Sequence, residues 1–263
     1  FVEYKFYADN HGGILKTVQS KSDFQLDLDA ISDAITTKTK ALLINSPNNP
    51  TGQVYPEEDL VALGALLEKK SKGYKRTIYL VSDEPYRKIV FDNHFVPSIF
   101  GCYANSIIGT SYSKDISIPG ERIGFAAVNP AADFHDDVLN GMALANRILG
   151  FVNAPALMQR VVACMQGMSV EISEYARKRE ILCEGLAEFG YEFIKPPGTF
   201  YLFPRSPIPD DVEFTNALKE ERVLVVPGSG FDGPGYFRIA FCVDDEVIIN
   251  SMPGFQKAIE RYK

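Results

Sequence analysis

Apolar and polar residues alternate in blocks along the chain, and the blocks predict strands and helices in turn. Ala41–Asn45 and Thr77–Val81 are apolar runs typical of strands that are buried on both faces of a parallel sheet. Between them, Pro56 and two acidic residues open a stretch through Lys70 that favours a helix, because acids are stabilised near a helix N-terminus. The other elements predicted here are a strand at Ile14–Val18, a helix at Leu28–Thr36, and strands at Ser106–Thr110 and Ile123–Val128.

Strands and helices that alternate at these intervals are typical of βαβ units. We therefore predict a three-layer α/β large domain with a mainly parallel sheet, spanning residues 1–165 and incomplete at its N-terminus. The pattern turns helical over Ala154–Phe189, with Gly167 as a candidate kink, and Pro196-Pro197-Gly198 marks a boundary. Residues 166–263 are predicted to form a smaller C-terminal α+β domain with the linking helix. Its predicted strands lie near Phe200–Phe203, Val223–Val226 and Tyr236–Phe241, and its helices near Val212–Glu221 and Val247–Arg261.

The composition of the chain argues against several classes of protein. The 263 residues carry 27 Lys and Arg against 34 Asp and Glu, a formal charge of −7, which disfavours a nucleic-acid surface. The apolar runs are too short to cross a bilayer, so no membrane span is expected. The four cysteines form no C-x-x-C pair and the three histidines are scattered, so we expect no metal site and no disulfide scaffold. A reducing cytoplasm is the location that this cysteine usage favours.

The most informative segment runs from Ser111 to Gly124. It places two hydroxyls and Lys114 at the end of an apolar strand, followed by a Pro-Gly turn and Arg122. Ligands of open α/β sheets bind at the carboxyl ends of strands, where a lysine can form a Schiff base beside a phosphate site. A solvated surface loop is the alternative interpretation of a single lysine.

Three further segments carry candidate chemistry. Ser46-Pro47-Asn48-Asn49-Pro50 follows a strand, and its Asn-Pro bond is a candidate cis peptide, although the segment by itself favours an ordinary turn. Asp83 ends the next strand, three residues before Tyr86, and helix capping is its alternative role. Arg238 lies inside an apolar strand, so it needs a ligand or an internal carboxylate partner.

Together and in this order, the four segments resemble the class I/II aminotransferases of the fold-type I pyridoxal-phosphate superfamily. The residues Ser111-x-Ser113-Lys114, followed by Pro119-Gly120-x-Arg122-x-Gly124, satisfy the lysine-attachment pattern of that family throughout. The resemblance, which is to aspartate aminotransferase-like enzymes, runs from Phe1 to the C-terminus. It includes Pro197-Gly198-Thr199-Phe200-Tyr201 and Val226-Pro227-Gly228.

The resemblance implies a role for each motif residue. Lys114 would form the Schiff base with pyridoxal 5'-phosphate and then move a proton to and from the substrate α-carbon. Asp83 would keep the cofactor ring nitrogen protonated, while Tyr86 and Asn49 would hydrogen-bond its 3′ oxygen. By the same resemblance Ser111, Ser113 and Arg122 would hold the phosphate, Arg238 with Asn49 would bind the substrate carboxylate, and Phe1 would stack on the cofactor ring.

The implied activity is that of a transaminase of EC type 2.6.1, which moves an amino group between an α-amino acid and a 2-oxo acid. The family also implies a homodimer with shared active sites. Two alternatives remain open: a carbon–sulfur β-lyase of the same fold, and an aminotransferase-like sensor domain of a transcription regulator. Residues that select the substrate side chain are not identified, and aspartate with 2-oxoglutarate is the family-level expectation.

One departure from the family is large. Its members carry an N-terminal segment before the position of Phe1, and that segment supplies part of the small domain and a glycine/serine phosphate loop. We expect this chain to be part of a longer enzyme. We also expect residues 1–263 alone to bind pyridoxal phosphate poorly and to turn over little substrate.

Overall fold

The computed structural model describes residues 2–263, which form ten α-helices and seven β-strands. The helices are α1 (Glu3–Asp9), α2 (Leu28–Ala34), α3 (Glu57–Tyr74), α4 (Ile99–Cys102), α5 (Tyr112–Asp115), α6 (His135–Ile148), α7 (Ala156–Cys164), α8 (Ile172–Phe189), α9 (Asp211–Glu220) and α10 (Asp245–Glu260). The strands are β1 (Ala41–Asn45), β2 (Tyr79–Asp83), β3 (Ser106–Ser111), β4 (Gly124–Val128), β5 (Tyr201–Leu202), β6 (Val226–Pro227) and β7 (Phe237–Ala240).

The larger sheet has the strand order β1-β2-β3-β4. Strands β1, β2 and β3 are parallel, and β4 pairs with β3 in the antiparallel sense. The register sets Asn45 opposite Asp83, and Asp83 opposite Gly109. The carboxyl ends of the three parallel strands therefore meet at one edge of the sheet. The predicted α/β class with a mainly parallel sheet is confirmed.

One face of this sheet is covered by α2, α3 and α4. Helix α3 presents Leu60, Leu63 and Leu67, spaced three and four residues apart, and all three are buried. They share a core with Ile44 of β1 and Leu80 of β2. Apolar residues at helical spacing on α3 and at alternate positions on the strands therefore explain why this layer forms.

The second core lies around the antiparallel sheet β5-β7-β6 and helices α8, α9 and α10. Phe214, Phe237 and Phe255 are fully buried at its centre. The same core includes Tyr86 and Ile89, which follow β2 in the chain. Because side chains from both predicted domains share this core, the boundary between residues 165 and 166 stays a prediction.

Several predicted elements differ from the structure. The predicted strand at Ile14–Val18 is wrong: this segment forms no strand, and Ile14 is 95% exposed. Helix α6 was not predicted. None of its residues is fully buried, but the partly buried ones recur at helical spacing: His135, Val138, Met142 and Ala145. The helical stretch over Ala154–Phe189 is two helices, α7 and α8, separated by a break in which Gly167 has a φ of +86°. The predicted kink therefore lies at the correct glycine.

Candidate active site

Lys114 lies on the short helix α5, which begins as soon as β3 ends at Ser111. Its side chain is half-buried, and its Nζ lies 5.5 Å from the centroid of the Phe200 ring. Within residues 2–263, Lys114 Nζ makes no hydrogen bond or ion pair. The strand end thus presents the Lys114 amino group beside an aromatic face, with no hydrogen-bond partner among the described residues for a ligand to displace.

Asp83 is the last residue of β2, and its carboxylate is held in place by Tyr4. The Tyr4 hydroxyl donates to Asp83 Oδ2 at 2.5 Å, and the Asp83 carbonyl accepts from Asn45 Nδ2 at 2.8 Å. Burial raises the pKa of Asp83, and the hydrogen bond from Tyr4 opposes that rise. Because Tyr4 occupies only Oδ2, the described contacts leave Oδ1 without a partner.

The loop after β1 fixes Asn49. Both of its X-Pro bonds, Ser46–Pro47 and Asn49–Pro50, are cis, so the predicted cis Asn-Pro peptide is confirmed. The Asn49 backbone N–H donates to Asn45 Oδ1 at 2.7 Å. The Asn49 side-chain Oδ1 accepts from Arg238 Nη1 at 2.8 Å, so the donor end of the same amide points away from that bond.

Two glycines let the segment before β5 cross close to this loop. A Cβ at Gly52 would lie 2.3 Å from Pro196 Cβ, and Gly52 has a φ of +72°. The Gly198 N–H donates to the Gly52 carbonyl at 3.0 Å. This crossing carries the chain directly into Phe200 and Tyr201, and it explains why the Pro197-Gly198-Thr199 sequence stands before them.

Arg238, on β7, is held by two aromatic rings as well as by Asn49. Its guanidinium carbon lies 4.4 Å from the centroid of Tyr201 and 4.6 Å from that of Phe231. The side chain is half-buried, and its Nε is buried with no hydrogen-bond acceptor among the described residues. The sequence left open an internal salt bridge at this arginine; no carboxylate of residues 2–263 pairs with it, so its charge is available to a ligand.

Tyr86 connects the two sides of the site. Its hydroxyl lies 3.0 Å from the hydroxyl of Tyr201, and its ring meets Phe200 edge-on at 5.4 Å between centroids. Burial and the neighbouring Tyr201 both raise the pKa of Tyr86, so its phenol stays protonated at neutral pH. Contacts thus run without a break from Lys114 through Phe200, Tyr86 and Tyr201 to Arg238.

Ser111, Ser113 and Arg122 are close in the fold but are not joined by side-chain contacts. Ser111 pairs with Gly124 across β3 and β4, where a Cβ on the glycine would lie 2.3 Å from the Thr110 carbonyl oxygen. Arg122 is exposed, and its Nη1 donates to the Pro119 carbonyl at 3.0 Å. The two serine hydroxyls make no hydrogen bond among the described residues.

The remaining predicted site residue, Phe1, lies outside the described residues. Conversely, four aromatic residues of the site were not predicted to act there: Tyr4, Phe200, Tyr201 and Phe231. Sequence signals were present for three of them. Tyr4 lies three residues after Phe1, and Phe200 and Tyr201 end the Pro197-Gly198-Thr199-Phe200-Tyr201 motif. Phe231 follows the Val226-Pro227-Gly228 motif by three residues, a spacing that carries no signal by itself.

Residues 2–263 contain neither a membrane-spanning helix nor a cluster of metal-ligating side chains. No helix there is both long and apolar enough to cross a bilayer. No group of three or more His, Cys, Asp or Glu side chains in that range is arranged to hold a metal ion. The four cysteines are free thiols.

Residues 1–250 match the family described as "Aminotransferase class I and II", and the chain belongs to that family. It is 32% identical to a probable aspartate aminotransferase of Methanocaldococcus jannaschii, over 94% of this chain and 66% of the relative. It is also 32% identical to the aspartate/prephenate aminotransferase of Thermus thermophilus, over 99% of this chain and 68% of the relative. The chain therefore spans about two thirds of the length of these curated relatives.

Solved structures agree with this assignment. An amino transferase from Eubacterium rectale is 42% identical and superposes with a TM-score of 0.97, covering 100% of this chain and 66% of that structure. The aspartate aminotransferase of Thermus thermophilus with maleate is 28% identical, with a TM-score of 0.83, and covers 98% of this chain and 67% of that structure. The fold and the family are the same as those that the motifs around Lys114 indicated.

Proposed function

We propose that the polypeptide containing this chain is a pyridoxal-phosphate-dependent transaminase of EC type 2.6.1, which moves an amino group between an α-amino acid and a 2-oxo acid. The observation that carries the proposal is the unbroken series of contacts from Lys114 to Arg238. Among the described residues, the Lys114 amino group has no hydrogen-bond partner and the Arg238 guanidinium has no carboxylate partner. A reactive amine and a carboxylate-binding group in one site are what amino-acid chemistry requires. Family membership supports the same activity.

The residues of the site fit pyridoxal phosphate by their chemistry. Lys114 supplies an amine with no competing hydrogen bond, and Asp83 supplies a partly buried acceptor whose Oδ1 is unused by the described residues. Asn49 has its acceptor end occupied by Arg238, which leaves its amide N–H₂ for an anionic oxygen. We assign the phosphate to Ser111, Ser113 and Arg122, whose two hydroxyls and one guanidinium suit a dianion.

When bound, the cofactor supplies an aldehyde for the substrate amine and a protonated ring that accepts electron density from the α-carbon. This chain's residues then have separable tasks. Arg238 binds the substrate α-carboxylate and orients the bond between Cα and hydrogen, and Lys114 Nζ carries the proton to and from Cα. Asp83 holds the proton on the ring nitrogen, and Tyr86 donates from a phenol whose pKa is raised by burial.

Aspartate and 2-oxoglutarate are the substrates that we propose to test first, because relatives across several organisms bear the name aspartate aminotransferase. The intact polypeptide, supplied with the cofactor, is expected to produce oxaloacetate and glutamate from this pair. Pyruvate released from cystathionine, with no amino transfer, would instead establish the β-lyase. No amino transfer from aspartate, alanine or an aromatic amino acid would refute the proposed activity.

We further propose that the enzyme is a cytoplasmic homodimer. Four free thiols suit a reducing compartment. The segment from α6 to α7 exposes many large apolar side chains, which is typical of an interface. Those exposed by about half or more are Phe134, Leu144, Ile148, Leu149, Phe151, Val152 and Leu157. Sedimentation of the intact polypeptide is expected to give a dimer, and replacement of both Leu144 and Ile148 by Asp is expected to give monomers.

A further inference from the structure

The guanidinium of Arg238 packs on two rings that come from different parts of the chain. Tyr201 belongs to β5, and Phe231 belongs to a 3₁₀ turn over Gly228–Phe231. Both ring centroids lie within 4.6 Å of the Arg238 guanidinium carbon, a distance at which cation–π attraction is appreciable. We call Tyr201 and Phe231 the ring pair.

The turn that carries Phe231 is fixed by its own backbone. A Cβ at Gly228 would lie 2.2 Å from the Gly233 carbonyl oxygen, so only glycine fits there. Asp211, at the start of α9, accepts from the Ser229 N–H at 2.7 Å and from the Gly235 N–H at 3.4 Å. Although burial alone would raise the pKa of Asp211, these backbone hydrogen bonds lower it. The Asp211 carboxylate is therefore ionised at neutral pH. Phe231 therefore lies in a turn that Asp211 holds through Ser229 within it and through Gly235 four residues beyond it.

The Tyr201 ring is constrained through contacts of its own residue. Tyr201 is 8% exposed, its hydroxyl lies against that of Tyr86, and its backbone N–H donates to Thr199 Oγ1 at 3.0 Å. Tyr201 cannot move away from Arg238 without the loss of these contacts. The guanidinium is thus held by two rings and by Asn49, while its Nε has no acceptor among residues 2–263.

We propose that Phe231, together with Tyr201, is a positioning residue that holds Arg238 ready for the substrate α-carboxylate. The proposal rests on the proposed function, because it assumes that Arg238 binds that carboxylate. A guanidinium that is packed on rings has fewer rotamers to lose, and it presents its remaining donors in a fixed plane to a planar carboxylate. The recognition of substrates that carry an α-carboxylate should then depend on an aromatic ring at position 231.

The test compares three variants in the intact, cofactor-loaded enzyme: Phe231→Tyr, which keeps a ring, Phe231→Leu, which keeps apolar bulk, and Phe231→Ala, which keeps neither. The matched control is Phe24→Leu, because Phe24 is a partly buried aromatic whose ring contacts are to Phe203 and Tyr236 rather than to Arg238. For each protein, kcat and KM for aspartate are measured, together with the thermal midpoint. The Kd of maleate is measured by calorimetry, which requires no turnover.

We expect Phe231→Ala to raise KM for aspartate and Kd for maleate by about tenfold, which corresponds to one strong cation–π contact. Phe231→Leu should raise both by about fivefold, Phe231→Tyr and Phe24→Leu by less than twofold, and kcat should change little in any of them. Equal constants for the leucine and tyrosine variants, or equal constants for all variants and wild type, would overturn the role of the ring. A wild-type enzyme that transfers no amino group and binds no maleate would instead refute the proposed function, and this inference with it.

Discussion

The two arginines assigned to anions, Arg238 and Arg122, stand in very different surroundings. Arg238 is half-buried, bonds to Asn49 and packs on two rings. Arg122 is exposed, and its guanidinium bonds to the carbonyl of Pro119 in its own turn. We call Arg238 with Asn49, Tyr201 and Phe231 the carboxylate half of the site, and Arg122 with Ser111 and Ser113 the phosphate half.

The contrast shows that contacts within this chain hold the carboxylate half in place but not the phosphate half. The carboxylate half is assembled by segments far apart in sequence, which the glycine crossing at Gly52 and Gly198 brings together. The phosphate half is local in sequence, and its hydroxyls make no hydrogen bonds among the described residues. A preorganised half should bind its ligand with little rearrangement, whereas the local half should gain order when the phosphate binds.

The largest expected effect is at Lys114, which lies between the halves. Lys114→Ala should lower amino transfer by roughly three to four orders of magnitude, because one group provides both the covalent link and the proton transfer. The affinity for maleate should stay within about twofold of wild type, since the carboxylate half is intact. Coupled assays and calorimetry measure the two effects, with the exposed Lys72→Ala as the control. Near-normal turnover in Lys114→Ala would contradict the role assigned to this residue.

Arg238→Ala and Arg122→Ala should affect different binding constants, one for each half of the site. Arg238→Ala is expected to raise KM for aspartate about a hundredfold through the loss of a charge-assisted pair, with little change in cofactor affinity. Arg122→Ala should weaken pyridoxal phosphate binding by about tenfold and leave KM nearly unchanged at saturating cofactor. Titration of the cofactor and steady-state kinetics measure these effects. If both variants change the same constant, the division into two halves is wrong.

Asp83→Asn should reveal a conflict between stability and function. The folded-state pKa of Asp83 is raised, chiefly by burial, so its contribution to stability is fully present below its ordinary pKa and is lost as the pH rises through the raised value. Asparagine avoids that loss. We therefore expect Asp83→Asn to raise the thermal midpoint by about 2 °C at pH 8, with the gain vanishing near pH 3.5, while activity falls.

The control for this comparison is Asp136→Asn, because the Asp136 side chain is 91% exposed. It should show no such pH-dependent gain. A gain of the same size in Asp136→Asn, or a loss of stability in Asp83→Asn at pH 8, would show that burial of the Asp83 charge is not costly.

The smallest expected effect is at Tyr4. Its hydroxyl donates to Asp83, so Tyr4→Phe should move the pKa of that carboxyl further upward. The loss of one hydrogen bond should lower kcat by about fivefold and leave KM for aspartate unchanged. In the Tyr4→Phe background the stability gain of Asp83→Asn should be larger at pH 8 and should reach its full size at a higher pH. An unchanged pH dependence would mean that Tyr4 does not act on Asp83.

Motifs in the sequence predicted the candidate site residues that lie at the ends of strands. Lys114, Asp83 and Asn49 each follow a predicted strand, and the parallel sheet brings these strand ends together as expected. Arg238 was predicted to need a partner because an unpaired guanidinium in an apolar strand is costly. Its partners were not predicted, since Tyr201 and Phe231 reach it only through the tertiary fold.

The errors in the predicted elements have a related cause. Ile14–Val18 has strand-forming residues, but a strand also needs a neighbour, and local sequence does not supply one. Helix α6 has partly buried residues at helical spacing, including Val138 and Met142. Its other large apolar residues, Leu139, Leu144 and Ile148, are exposed, so the sequence shows no clear division into an apolar and a polar face. Pairing and burial are properties of the whole fold, and the sequence pattern predicted them only where an element faces a core.

The most direct test of the account is to fix the cofactor to the protein chemically. The intact polypeptide is incubated with pyridoxal phosphate, reduced with borohydride and digested, and the labelled peptide is identified by mass. We expect a pyridoxyl group on Lys114 and none in Lys114→Arg. A label on another lysine, or amino transfer at normal rates with no label at Lys114, would contradict it.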